Sequence, residues 1–183
     1  MSNIEVDLDR LREKLTSEEF LQGKGLSNEV NIHIFCYEAE DEMTVRHFLD
    51  FLSKKDFGVK IKIINLYHKL IELCEKKKII KSIPSMEERK GREFLLNELS
   101  KLTADDQYLE MFDYRPEEDE VVLFTGVGEV YPFIRVHNLL ERIQPYISKI
   151  PIIVIYPGTF ENYQLRLFGK FEPSDYYRAF NII

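Results

Sequence analysis

The sequence predicts an α/β fold, a mainly parallel, doubly wound sheet with helices on both faces, and three observations carry that expectation. Two wholly apolar runs, Val121 to Phe124 and Ile152 to Ile155, bracket a helical stretch opened by Gly126, Gly128 and Pro132. That is how a buried parallel βαβ unit is written. Strand-period and helix-period stretches alternate along the chain, as a sheet covered by helices requires. With 183 residues, one hydrophobic core suffices, so 1–183 is read as a single domain.

Taken in order, Ile4, Leu8, Leu11 and Leu15 fall at i, i+4, i+7 and i+11, one face of an opening helix. A glycine turn at Gly23 and Gly25 ends this segment. Val30, Ile32, Ile34 and Cys36 then alternate with Asn31, His33, Phe35 and Tyr37 as a first strand. Glu40, Asp41 and Glu42 supply the acidic first turn that a helix dipole favours, and Val45, Phe48, Leu49 and Leu52 form the face that follows. After Gly58, a second strand alternates Val59, Ile61 and Ile63 with Lys60 and Lys62. One wetted side marks it as an edge strand, expected outside the first strand.

From Leu66 the period becomes helical through Leu70, Leu73 and Cys74, and Pro84 with Ser85 breaks it before a helix carrying Phe94, Leu95, Leu99 and Leu102. Tyr108, Leu109 and Phe112 suggest one more short helix. This stretch of about 50 residues exceeds the dozen or so that a crossover needs, so it is read as a helical insertion between the second and third strands. The third and fourth strands, apolar throughout, are expected at the centre of the sheet. Leu165 to Phe168 and Tyr176 to Ile182 are expected to close a C-terminal hairpin around Pro173, Ser174 and Asp175.

Composition narrows the functional classes. The formal net charge of −7 argues against direct nucleic-acid binding over a broad face, without excluding a local patch. One basic stretch exists, Lys69 and Lys76 to Lys81, then Arg89, Lys90 and Arg92, with no interleaved aromatics for base stacking. The acidic run Glu117 to Glu120 is read as a solvated turn. Apolar runs fall far short of the roughly 20 residues of a membrane span. Met1 to Arg12 lacks the basic start and apolar stretch of a secretory signal, so a cytoplasmic protein without membrane association is expected. Cys36 and Cys74 are expected to be core residues.

In such folds ligands sit beyond the carboxyl ends of the strands, where strand order reverses. Three loops are expected to meet there: Tyr37 to Asp41, Thr125 to Pro132 and Tyr156 to Phe160. Thr125, Gly126 and Gly128 could present backbone donors to an anion or nucleotide, the alternative reading of this turn. The third glycine of a dinucleotide fingerprint and a GxxxxGK[ST] loop are both absent. His33, His47, His68 and His137 are scattered, and no serine or cysteine stands in a nucleophile signature. No catalytic residue, metal ligand or cofactor is therefore assigned. Arg135 and His137 are placed just inside the helix after the third strand, Arg135 facing solvent. Tyrosine and arginine near loops are the residue types that dominate protein contacts, which makes Tyr131, Arg135, Tyr163, Tyr177 and Arg178 candidate partner-binding residues. A second copy of the chain is also a candidate partner.

FLQGKGLSNEVNIHIFCYEAEDEMTVR, KIINLYHKLIE, LFTGVGEVYPFIRVHNLL, PIIVIYPG, LRLFGK and YYRAF occur in this order along nearly the whole chain. In this set the sequence resembles the BrxB family, the small component of bacterial BREX bacteriophage-exclusion systems. It departs at the start of the first strand segment, where the family usually has a proline, and at His33, where it usually has an aromatic or aliphatic residue. The resemblance implies an accessory, non-catalytic subunit of a phage-defence assembly whose other members supply methyltransferase, ATPase and phosphatase-like or nuclease-like activities. Its implied partners are other BREX proteins, the phosphatase-like subunit first. It supplies no established catalytic residue to carry over.

Overall fold

Ile4, Leu8, Leu11 and Leu15 are all buried along one face of α1 (Asn3–Leu15), as their spacing predicts. The computed structural model describes residues 3–22, 31–112, 117, 120–143, 146, 150–175 and 179–183. After α2 (Glu18–Leu21) come β1 (Ile32–Tyr37), a single 3-10 turn (Ala39–Asp41), α3 (Glu42–Lys54) and β2 (Lys60–Asn65). Asn65 caps α4 (Leu66–Lys76) by accepting the His68 backbone N–H at 2.9 Å. Pro84 stands in the first turn of α5 (Ile83–Lys90), where a missing N–H costs nothing, so it begins a helix that the reading of Pro84 as a break had passed over. Then follow α6 (Arg92–Ala104), α7 (Asp106–Glu110) and β3 (Glu120–Thr125).

The helix expected from Gly126 onward is two helices. α8 (Val127–Val130) stops before a cis Tyr131–Pro132 bond, and α9 (Val136–Ile143) begins four residues later. Proline has no N–H to donate within a helix interior. Arg135 therefore precedes α9 instead of lying in it.

β4 (Ile152–Glu161) is longer than its apolar run. Tyr156 to Phe160, expected as a loop, continues the strand: beyond Pro157 it pairs antiparallel with β5 (Gln164–Leu167), from Gly158 opposite Leu167 to Glu161 opposite Gln164. The C-terminal hairpin also differs from expectation. Leu165 pairs with Ser174, so the returning strand is β6 (Ser174–Asp175), formed by residues assigned to the turn. β7 (Phe180–Asn181) runs instead beside β1, parallel to it.

The main sheet has the order β2-β3-β4-β1-β7 with parallel neighbours. β3 and β4 are internal, as their apolar composition requires. β2 is an edge strand, with Lys60 exposed, but it lies beside β3, where it was expected beside β1. One-sided wetting identifies an edge without naming the neighbour, and the connection through α3 passes over both β4 and β3.

The direction of each crossover sets which face its helix covers. β1 to β2 runs one way across the sheet, and β2 to β3 to β4 runs the other. α3 consequently packs on the face of Phe35, Tyr37, Val121, Leu123, Ile153 and Ile155, which α1 and α2, before β1, also cover. The helices from α4 onward pack on Ile32, Ile34, Ile64, Val122, Phe124 and Val154. Consecutive residues of each internal strand enter opposite cores, which is why Val121 to Phe124 is unbroken by polar residues. No helix among the described residues is long and apolar enough to cross a membrane.

Candidate functional site

β1 and β3 flank β4, and the helices that follow them, α3 and α8, leave for opposite faces. A pocket of about 280 Å³ opens at this reversal, lined by Tyr37, Glu42 and Arg46 on one side and Gly126, Gly128 and Glu129 on the other. Two of the three expected loops thus meet. Tyr37 Oη donates to Glu42 Oε2 at 2.5 Å, Arg46 Nε to Glu42 Oε1 at 2.6 Å and Arg46 Nη2 to Glu129 Oε1 at 2.7 Å. Asn65 Nδ2 adds a bond to Glu129 Oε2 at 3.1 Å. One arginine thereby clasps α3 to α8, with the cap residue of α4 joined to the same carboxylate.

The electrostatics follow from these contacts. Burial, then the bond to Glu42, pushes the Tyr37 hydroxyl far above its ordinary value, so it remains a donor. Burial opposes ionisation of Glu129, but the bonds from Asn65 and Arg46 outweigh it and hold the carboxyl below the usual range. Two carboxylates face one guanidinium, so the pocket has no uncommitted cation for a phosphate. Both glycines of the turn face protein side chains. Gly126 has φ 74, and a Cβ there would lie 2.5 Å from Asn65 Oδ1; a Cβ on Gly128 would lie 2.8 Å from Phe168 Cζ. Their smallness makes room for Asn65 and Phe168. Thr125, also considered for an anion, is buried at the end of β3 opposite Asn65.

A second feature lies beside this pocket. Phe168 contacts Phe171, with centroids 6.0 Å apart, and Phe171 packs on Tyr131 at 4.7 Å. Arg135 is exposed next to them, its Nη1 3.4 Å from Ser174 Oγ, and among the described residues it forms no ion pair. Phe171 is 40% exposed and Tyr163 60%. Tyr163 is joined to this group through the sheet, because its neighbour Gln164 pairs with Asp175, the residue after Ser174. Asn162 and Tyr163, with φ 50 and 61, are the two central residues of the β4–β5 turn, which is a type I′ hairpin. On the other side of Arg135 a groove of about 450 Å³ runs past Pro132, Phe133, Asn138 and Arg142.

Comparison with known proteins bears on this arrangement. The model of the family described as BREX protein BrxB matches residues 62–182, from β2 through β7. The chain belongs to the BrxB family. It is 34% identical over 190 aligned positions to the BREX protein BrxB of Bacillus cereus (strain H3081.97), covering 100% of this chain and 99% of that protein. With the BREX protein BrxB of Escherichia coli O9:H4 (strain HS) the identity is 25% over 185 positions, 98% of this chain and 92% of the other. No solved structure matches the chain.

In this BrxB-family fold, Tyr131 and Arg135 stand together at the mouth between α8 and α9, and Tyr163 sits at the tip of the adjoining hairpin. Tyr177 and Arg178 lie outside the described residues, as do Gly23 and Gly25. Cys74 is buried and Cys36 largely so, and burial pushes the Cys36 thiol up to about 12, away from any nucleophilic role. His137 is half-buried, with burial and then Arg135 lowering its basicity. The four histidines stand apart on β1, α3, α4 and α9.

Sequence reasoning missed Phe171 and the Arg46 clasp. Glu42 and Arg46 do show the i, i+4 spacing of a helical ion pair. No local signal joins Arg46 to Glu129, which is 83 residues away. Phe171 follows a glycine turn, and its placement on Tyr131 depends on how the hairpin folds back.

Proposed function

We propose that this BrxB-family protein is a non-catalytic interaction subunit of a BREX phage-defence assembly. It binds other BREX proteins, the phosphatase-like subunit first, through the surface formed by Tyr131, Phe171, Arg135 and the Tyr163 hairpin. Tyr177 and Arg178 belong to the same proposal by their nearness in sequence to β6. The observation that carries it is the combination of two exposed aromatics with an arginine that has no carboxylate partner among the described residues. Exposed tyrosine, phenylalanine and arginine on a rigid support are what dominate protein interfaces. Family membership supports the assembly, since both relatives bear the name of a BREX protein. The crevice supports a structural role, because its ionisable groups bond to one another.

Co-purification from its own operon tests the proposal. Tagged wild type is expected to retain at least one further BREX protein, and Arg135→Glu to retain much less while folding normally. Failure of the wild type to retain any of them across a range of salt would refute it.

A further inference from the structure

The chain is acidic overall, yet its charge is strongly segregated. Residues 76–92 hold Lys76, Lys77, Lys78, Lys81, Arg89, Lys90 and Arg92 against Glu87 and Glu88 alone, seven cations less two carboxylates, or +5. With a whole-chain charge of −7, the remainder carries −12. In the structure these cations lie on one basic segment of consecutive elements, the end of α4, the 3-10 turn Ile80–Ser82, α5 and the start of α6, with Lys76, Lys78, Lys81, Arg89, Lys90 and Arg92 exposed. Lys76 is near Glu72 at 3.8 Å and Arg92 bonds Glu87 at 3.2 Å. Lys77, Lys78, Lys81, Arg89 and Lys90 form no ion pair with any described carboxylate, although Glu75 and Glu88 stand close by in sequence.

Two details distinguish this segment from an ordinary solvated helix end. Lys78 has φ 58 and occupies the left-handed position of a Schellman cap, with Ile79 N bonding Cys74 O at 3.0 Å and Lys78 N bonding Glu75 O at 2.9 Å. Glycine is the favoured residue there, so a lysine is held where it is conformationally disfavoured, at the end of the triplet Lys76 to Lys78. In addition, the large hydrophobics exposed among the described residues, Met43, Tyr163, Phe171 and Ile183, all lie elsewhere. Ile79, Ile80, Ile83 and Met86 turn inward onto the core.

We infer that this basic segment binds the sugar-phosphate backbone of duplex DNA, without reading sequence. A protein partner would need large exposed apolar or aromatic anchors, and those among the described residues lie outside this segment. A single-strand site would need exposed stacking aromatics, and Phe94 lies under the Lys90 ammonium at 4.3 Å. Phosphate contacts need only cations. The Lys76–Lys81 and Arg89–Arg92 groups stand at the two ends of α5, about 12 Å apart from its eight residues, comparable to the roughly 12 Å width of a B-DNA major groove. The net charge, which argues against a broad DNA-binding face, leaves this local one intact. The inference is independent of the protein-binding surface around Arg135.

Fluorescence anisotropy of a labelled duplex, titrated with the full-length chain over a salt series, tests the inference. Five phosphate contacts predict a slope of log affinity against log salt of about −4.5, an affinity loss of roughly 500-fold between about 50 and 200 mM salt. The triple variant Lys77→Gln, Lys78→Gln, Lys81→Gln should lower the slope by about 3, while Arg135→Glu leaves it unchanged. The substituted side chains lie at the surface and circular dichroism checks that the variant is folded. No binding at low salt, a slope unaffected by the triple variant, or equally tight binding to poly-glutamate or to anionic vesicles would overturn it.

Discussion

Tyr163 holds a left-handed backbone conformation, φ 61, that costs a residue with a side chain roughly 1–2 kcal/mol. Its ring is 60% exposed, so packing does not repay that cost within the chain. Among the described residues, the non-glycine residues with positive φ are Lys78, Asn162, Tyr163 and Phe168. Three of them belong to the hairpin that carries the proposed partner surface, and the fourth to the basic segment. Strain of this kind is where function is sought from an observed outlier. Tyr163→Gly is therefore expected to stabilise the chain by about 1 kcal/mol while weakening retention of BREX partners. Urea denaturation alongside co-purification checks it, and a loss of stability equal to any loss of binding would place Tyr163 in the fold alone. Sequence made Tyr163 visible as an aromatic in a turn. It could not show the turn type, because type I′ turns are recognised by glycine at this position.

His33 matters at the scale of elements, because its ring lies between α2 and β7. It contacts Phe20 at 4.9 Å and Phe180 at 5.9 Å, and Nε2 is 2.8 Å from Asn31 Oδ1. Burial, then Lys14, lowers its pKa from 6.5 to about 4. The unfolded chain therefore takes up this proton at higher pH than the folded one. Stability from the neutral imidazole is fully present above pH 6.5 and is lost as pH falls from 6.5 towards 4. The loss amounts to up to about 3 kcal/mol. His33→Phe should remove most of this pH dependence while keeping an aromatic ring between Phe20 and Phe180. Denaturation midpoints across that window test it, and an unchanged profile would assign the dependence to another group such as His137. The position of His33 on a strand was legible from alternation. Its packing was not, because the last strand was expected in a hairpin, whereas β7 pairs with β1 and brings Phe180 against the ring.

Across the whole molecule, the doubly wound sheet was legible because its central strands are apolar on both faces and its helices are periodic. Strand order was legible only in part: Lys60 and Lys62 identified β2 as an edge, while its neighbour depends on long crossovers that no local pattern encodes. A pocket opens beyond β1 and β3, where two of the three expected loops meet, but its chemistry depends on Arg46 meeting Glu129 across 83 residues. The glycine turn that looked like a phosphate cradle accommodates Asn65 and Phe168. What remains is a scaffold with two exposed surfaces of different character, an aromatic one around Tyr131, Phe171 and Tyr163 and a cationic one on α5, separated along the chain by α6, α7, β3 and α8. The central claim is that the aromatic surface holds a BREX partner, and it is tested most directly by the affinity of the purified phosphatase-like subunit for wild type and for Arg135→Glu combined with Phe171→Ala. The account predicts saturable binding by the wild type and at least a roughly tenfold weakening, about 1.4 kcal/mol, in the folded double variant; equal affinity for the two proteins would contradict it.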